Sequence, residues 1–209
     1  MKPDKIQSKG LLRRQIMLDI ATGLFLKQGY GHTSLSEIIA CSKGSRSTIY
    51  KYFGSKYGLL QAMIQQVAEE TCSSIEVVNL IEDLDEDKLV DLGVHFLGAI
   101  LSPNALGVYR IVISEVDRSP YISEYFHNYF IKIILEQFSK AFGDVDESLM
   151  AENGLFTSVR ELSSYFLWAV AGEIHFLCAI GKTSDWDDER IKDVVRARVR
   201  FFLNGIRAR

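Results

Sequence analysis

The sequence predicts an all-α protein: an N-terminal three-helix bundle with a helix-turn-helix, followed by a larger C-terminal helical body. Apolar residues recur at helical spacing along most of the chain, no segment sustains the alternation of a strand, and only 3 prolines interrupt 209 residues. A composition of 47% apolar and 24% charged residues is that of an ordinary globular chain and excludes collagen-like or wholly disordered ones. This length buries a core without disulfides or metal.

The elements follow in order. Between Leu11 and Gln28, Ile16, Ile20 and Leu24, with Ala21 and Phe25, recur at spacings of four, the stripe of an amphipathic helix that Gly29 ends. Ser34 and Glu37 read as a capping box, the serine oxygen taking a backbone donor and the glutamate reaching back, for a short helix over Leu35 to Cys41. Ser42, Lys43 and Gly44 form a tight break, after which Ser45 caps a second short helix carrying Arg46, Thr48, Ile49, Tyr50 and Phe53. Gly54 and Ser55 punctuate again. A long helix then runs from Lys56 towards Ile75 and buries Leu59, Leu60, Met63, Ile64 and Val67. These breaks divide the chain into a head over 1–54 and a body over 55–209, with a linking helix from about residue 56.

The body continues with helices over Leu89 to Leu101, stopped by Pro103, and Ala105 to Val116, stopped near Pro120. An aromatic-rich helix over Tyr121 to Phe142 ends at Gly143, and a polar stretch from Asp144 to Asn153 interrupts the pattern. Val159 to Ile180 is a long apolar helix. Asp187 to Arg207 closes the chain with acids in its first turn and arginines in its last, the order that suits a helix dipole.

Charge separates the two parts. Residues 1–60 hold 10 Lys and Arg against 3 Asp and Glu, whereas residues 61–209 hold 14 against 24, so a basic head stands on an acidic body. A compact basic segment is the footprint of a polyanion binder, because lysine and arginine displace counterions from phosphates.

Other classes find no support. The cysteines Cys41, Cys72 and Cys178 are odd in number and widely spaced, which fits a reducing cytoplasmic setting better than a disulfide framework or a zinc knuckle. Met1 to Gly10 has no apolar core of a secretion signal. The apolar stretch Tyr165 to Ile180, broken by Glu173 and His175, is shorter than the roughly 20 residues of a bilayer span, so no membrane partner is expected. Asp91 with His95, and His175 with Cys178, are pairs on one helical face, but a tetrahedral site wants more ligands, and no metal or other cofactor is expected. No nucleophile elbow, phosphate loop, dinucleotide fingerprint or HExxH marks an enzyme.

Two short helices joined by a turn, with polar residues on the second, fit a helix-turn-helix whose second helix enters the major groove of duplex DNA N-terminus first. Ser45, Arg46, Ser47 and Thr48 then point at base edges and phosphates while Ile49 and Phe53 face the small core. Arg46 is the best base reader, since its fork bonds guanine N7 and O6 together. Tyr50, Lys51 and Lys56 suit phosphates.

At these positions the chain resembles the tetracycline-repressor (TetR) family of bacterial transcriptional regulators. The likeness runs through Ile16, Ala21, Phe25, Gly29-Tyr30, Thr33-Ser34, Glu37-Ile38 and the unbroken run Ser45 to Lys56, with Leu59-Leu60. The resemblance implies that Thr33, Ser34, Tyr50, Lys51 and Lys56 contact the DNA backbone and that Arg46, Ser47 and Thr48 lie at the bases. It also implies a homodimer, a helical ligand-binding body and release from an operator when a small effector binds. The chain departs from the family at Ile39, where alanine is usual, and at Lys43-Gly44, where glycine then valine are usual. Val108 to Glu115 followed by Ser119-Pro120 looks like the second domain of an AefR-type branch.

Within the body, Phe96, Tyr109, Phe126, Tyr129, Phe130, Trp168 and His175 are candidates to line an effector pocket, since pockets are mostly apolar with few polar groups. Val159 to Ile180 carries more apolar surface than one domain needs, and its small residues Ser163, Ala169, Ala171 and Gly172 would allow close helix approach. The last two helices of each protomer would thus build a four-helix interface, whose twofold symmetry suits a pseudo-palindromic operator. The alternative is a helical ligand-binding or interaction protein touching DNA without sequence preference.

Overall fold

The first three helices are set off by backbone that only certain residues tolerate. In the computed structural model, described over residues 3–76, 84–143, 156–182 and 187–207, α1 runs Pro3–Gln28, α2 Leu35–Ser42 and α3 Arg46–Phe53. Gly29 at φ 87 ends α1 and Gly54 at φ 74 ends α3, both in the region where a Cβ is penalised. Helix α1 starts well before the expected Leu11, because Pro3 suits a first helical position and nothing between it and Leu11 breaks the helix. Its buried face is Met17, Leu18, Ala21 and Phe25. Ile16, expected inside, is 45% exposed; the helix carries adjacent apolar stripes, and the one bearing Met17 packs beside the turn at Gly44.

Helix α4 (Lys56–Glu76) follows, then α5 (Glu86–Ile100), α6 (Pro103–Glu115) and α7 (Pro120–Tyr125). A π-helical turn over Phe126–Ile131 leads into α8 (Lys132–Ala141), so the aromatic segment expected as one regular helix is broken at its centre. Helices α9 (Val159–Ala179) and α10 (Asp188–Arg207) complete the chain. The polar stretch at 144–153 lies outside the described residues. The body helices carry oxygen caps: Asp85 Oδ1 accepts from Lys88 N (2.9 Å), Ser158 Oγ from Glu161 N (3.2 Å) and Asp187 Oδ1 from Arg190 N (2.8 Å).

Contacts group the chain into two units. One comprises Met1–Val67 with Gly107–Phe126, the other Ala68–Leu106 with His127–Arg209. The division expected at residue 54 follows the helix-turn-helix; the contact grouping adds the first half of α4 and the strap from α6 to α7 to the head. Within that first unit, Leu26 lies where a Cβ on Gly107 would be, and Glu115 Oε1 is 3.0 Å from where one on Gly31 would be.

The second unit is built on aromatic rings. Phe96 meets Phe138 edge-on (4.9 Å between centroids), Phe138 meets Phe166 (6.1 Å), and Phe166 meets Phe142 (5.4 Å) and Phe202 (5.2 Å). Helices α5, α9 and α10 converge at Gly93, where an added Cβ would lie 2.7 Å from Val195 Cγ1 and 3.1 Å from Val170 Cγ1. At 21 residues α9 is long and apolar enough to cross a bilayer, longer than the stretch read from sequence. Its residues Leu162, Phe166, Leu167, Val170, Ile174 and Cys178 are buried inside this unit, as one face of a core helix is.

Candidate nucleic-acid interface

Serine oxygens start the helices on either side of the turn and the one that follows. Ser34 Oγ accepts from Glu37 N (3.2 Å) to start α2, Ser45 Oγ accepts from Thr48 N (3.2 Å) to start α3, and Ser55 Oγ accepts from Gly58 N (3.0 Å) to start α4. The expected return bond of Glu37 is replaced: its carboxylate takes Gln28 Nε2 at 2.7 Å, which ties α2 to the end of α1. Ile38 and Ile49 are fully buried and lock α2 and α3 together. Phe53, expected in that core, is half-buried, with the Arg14 guanidinium 5.0 Å above its ring.

On the outer side of α3, Ser45, Arg46, Ser47, Tyr50 and Lys51 are exposed and Thr48 is half-exposed. Ser45 Oγ also lies 2.8 Å from Ser47 Oγ and 2.7 Å from Thr48 Oγ1, so these hydroxyls form a small polar cluster around the helix start. A basic fork, hydroxyls and a helix N-terminus on one exposed face can bond base edges and phosphates. Ser34 is exposed as well.

Two residues expected at the DNA backbone are placed differently. Thr33 is 1% exposed and its hydroxyl donates to the Gly29 carbonyl (2.9 Å), so the side chain fastens the turn after α1. Lys56 Nζ donates to the carbonyls of Tyr30 (2.9 Å) and Thr33 (3.0 Å) and sits 4.3 Å from the Tyr30 ring centroid. An ammonium held by carbonyls at a helix terminus is a fastening as well as a charge.

A tyrosine cluster missed in the sequence includes the Tyr30 ring that the lysine covers. Burial first, then the neighbouring Tyr121, push the Tyr30 phenol well above its ordinary range, so it stays protonated. Tyr57 meets Tyr121 edge-on at 4.7 Å and donates to its carbonyl (3.2 Å), and Gln65 Nε2 donates to the Tyr125 hydroxyl (2.8 Å). Nothing in the local sequence marks these contacts, which join residues about sixty positions apart.

The proposed pocket residues are divided between the two units. Tyr109 and Phe126 belong to the first unit; Phe96, Tyr129, Phe130, Trp168 and His175 belong to the second. Phe96 and Phe130 are buried. Tyr129 is half-buried, its phenol raised by burial and by Glu69 nearby. Trp168 is 61% exposed, being about 200° around α9 from buried Phe166. It lines an outward groove of about 1130 Å³ between α9 and α10, with Tyr165, Ala169, Arg198, Phe201 and Phe202. Ser163 and Ala171, expected at an external contact, are buried within their own unit. Desolvation holds the half-buried His175 below the usual imidazole range. Asp91 and His95 are exposed on α5.

Comparison with known proteins matches residues 17–63 to the model of bacterial regulatory proteins of the tetR family. Residues 87–205 match that of the AefR-like transcriptional repressor C-terminal domain. No curated protein matches the sequence. Among solved structures, a TetR-family transcriptional regulator from Mesorhizobium loti is 19% identical, covers 93% of this chain and 96% of its own, and superposes with a TM-score of 0.75. A flavonoid-responsive regulator, FrrA, is 27% identical over 92% of this chain and 95% of its own, with a TM-score of 0.67. The fatty acid degradation regulator FadR from Bacillus halodurans is 19% identical over 94% and 97%, with a TM-score of 0.65.

Proposed function

The chain belongs to the TetR family of bacterial regulatory proteins, as a DNA-binding transcriptional regulator with an AefR-like C-terminal domain, and from that premise we propose a homodimeric repressor that a small molecule releases from a pseudo-palindromic operator. The observation that carries the reading is the exposed polar face of α3, where Arg46, Ser47 and Thr48 stand at the start of a capped helix inside a basic head. In this reading residues 1–54 are the DNA-binding domain and 55–209 the regulatory and dimerisation domain. Arg46, Ser47 and Thr48 meet bases. Ser34, Ser45, Tyr50 and Lys51 meet the backbone.

The second copy docks on α9 and α10. Tyr165, Trp168, Phe176 and Phe201 leave these helices with exposed aromatic surface of the kind that marks an interface. Two heads related by a dyad meet successive major grooves about 34–36 Å apart. An effector bound in the body favours the dimer whose heads no longer match that spacing; the shift needs only unequal affinity for two states. A planar aromatic effector is the first class to screen, because the 27% identical relative is named as flavonoid-responsive. Such a regulator works where the chromosome lies, in the bacterial cytoplasm.

The test is selection of bound duplexes from random DNA with the full-length protein at fixed salt near the physiological value. An inverted repeat is expected, and a flavonoid panel is then screened for release of that duplex. Binding with steep salt dependence but no preferred sequence would replace this reading with a helical interaction protein that touches DNA nonspecifically.

A further inference from the structure

Among the described residues, two other than glycine hold left-handed backbone: Lys43 at φ 49 and Leu84 at φ 50. Leu84 is buried, so packing holds it there. Lys43 is exposed. It closes α2 at φ 49 and ψ 31, with its N–H directed at the carbonyls of Ala40 and Ile39. That position is the usual place for glycine, which has no Cβ to crowd the following carbonyl. The glycine of this turn stands one residue later. A Cβ on Gly44 would lie 2.5 Å from Met17 Cε and 3.0 Å from Ser42 Oγ, both side-chain atoms, so the small residue at 44 suits the packing against Met17 but does nothing to relieve the left-handed backbone at Lys43.

The fold gains nothing from a lysine in this conformation. Its side chain is not buried, and among the described residues no carboxylate pairs with its ammonium. What the residue has is location: Lys43 lies two positions before Ser45, the cap of the recognition helix, beside the exposed hydroxyls and Arg46. Strained backbone that packing does not require collects at binding surfaces. We propose that Lys43 is a phosphate-contacting residue of the DNA interface, held in left-handed backbone because its charge at the turn serves binding and not stability. This rests on the DNA-binding reading above.

The substitution Lys43→Gly separates the two roles, since it removes the charge and relieves the backbone. Full-length wild type, Lys43→Gly and Lys43→Arg are titrated over a salt series against the duplex selected by wild type and a scrambled duplex of equal length. For Lys43→Gly we expect several-fold weaker binding to both duplexes and a plot of log affinity against log salt shallower by about one. Its thermal midpoint should equal or exceed that of wild type, and Lys43→Arg should keep the wild-type slope. An unchanged slope for Lys43→Gly overturns the proposal, as does weakening confined to the selected duplex, or a midpoint clearly below wild type. Wild type that binds neither duplex would sink the DNA-binding reading and this assignment together, whereas wild type that binds while Lys43→Gly matches it sinks this assignment alone.

Discussion

The head and the body are held together by different means. In the head, three serine caps, the Lys56 ammonium on two carbonyls and glycines at fixed backbone positions set the geometry, around a small core of Met17, Ala21, Phe25, Ile38 and Ile49. In the body, burial of Phe96, Phe138, Phe142, Phe166 and Phe202 dominates. A face that must stay polar and wet leaves few positions for apolar side chains, so directional bonds at helix ends do the positioning. A body with no such demand can use area, at roughly 25 cal/mol per Å².

The largest expected effect tests the head where it has no slack. A Cβ on Gly58 would run into the Phe53 carbonyl, which is backbone and cannot rotate aside. Gly58→Ala should cost about 3 kcal/mol. Hydrogen exchange should show the lost protection concentrated at the α3–α4 junction, and uniform loss along the chain would break the contrast. Next, Lys56→Ala leaves the Tyr30 and Thr33 carbonyls without their donor and should destabilise by about 2 kcal/mol in urea unfolding. If stability is unchanged while the salt slope of DNA binding flattens, Lys56 acts through phosphates alone.

The matching change in the body is milder. Gly93→Ala overpacks against Val195 and Val170, at about 1–3 kcal/mol, but the neighbours are side chains and alanine recovers about 1 kcal/mol of helix propensity. A net loss near 1 kcal/mol with unchanged affinity for the selected duplex is expected; a loss matching that of Gly58→Ala would erase the distinction. The smallest effect is one of pH. His175 is held below its ordinary range by burial, so the unfolded chain takes up its proton first as pH falls. Stability at this site is full above the ordinary imidazole value of about 6.5 and declines below it. The thermal midpoint of His175→Gln should therefore depend less on pH than wild type across that window.

Much of the architecture was legible because caps and breakers are local. Ser34, Ser45, Gly29 and Gly54 announce the helix-turn-helix to anyone reading residue by residue, and Ile49 falls inside as its spacing requires. Where two readings were locally equal, the sequence could not choose: Ile16 and Met17 both extend apolar stripes, and only the turn at Gly44 selects Met17. Trp168 is a pocket candidate by its apolar character alone, and only its angle on α9 shows that it faces outward, into the groove beside α10. Lys56 is read from chemistry that suits phosphate and Thr33 from the family resemblance, and the same groups suit carbonyls in the turn after α1. The Tyr30, Tyr57 and Tyr121 cluster depends on chain returning from far along the sequence, which no window of neighbouring residues contains.

The half-covered indole of Trp168 has a practical corollary. Indole emission lies to the red in water and moves to the blue when solvent is displaced, and this ring stands 61% exposed in the groove between α9 and α10. With Trp186, the other tryptophan of the sequence, replaced by phenylalanine, the chain thus carries an intrinsic optical gauge of whatever occupies that groove, readable on dilution without any label attached.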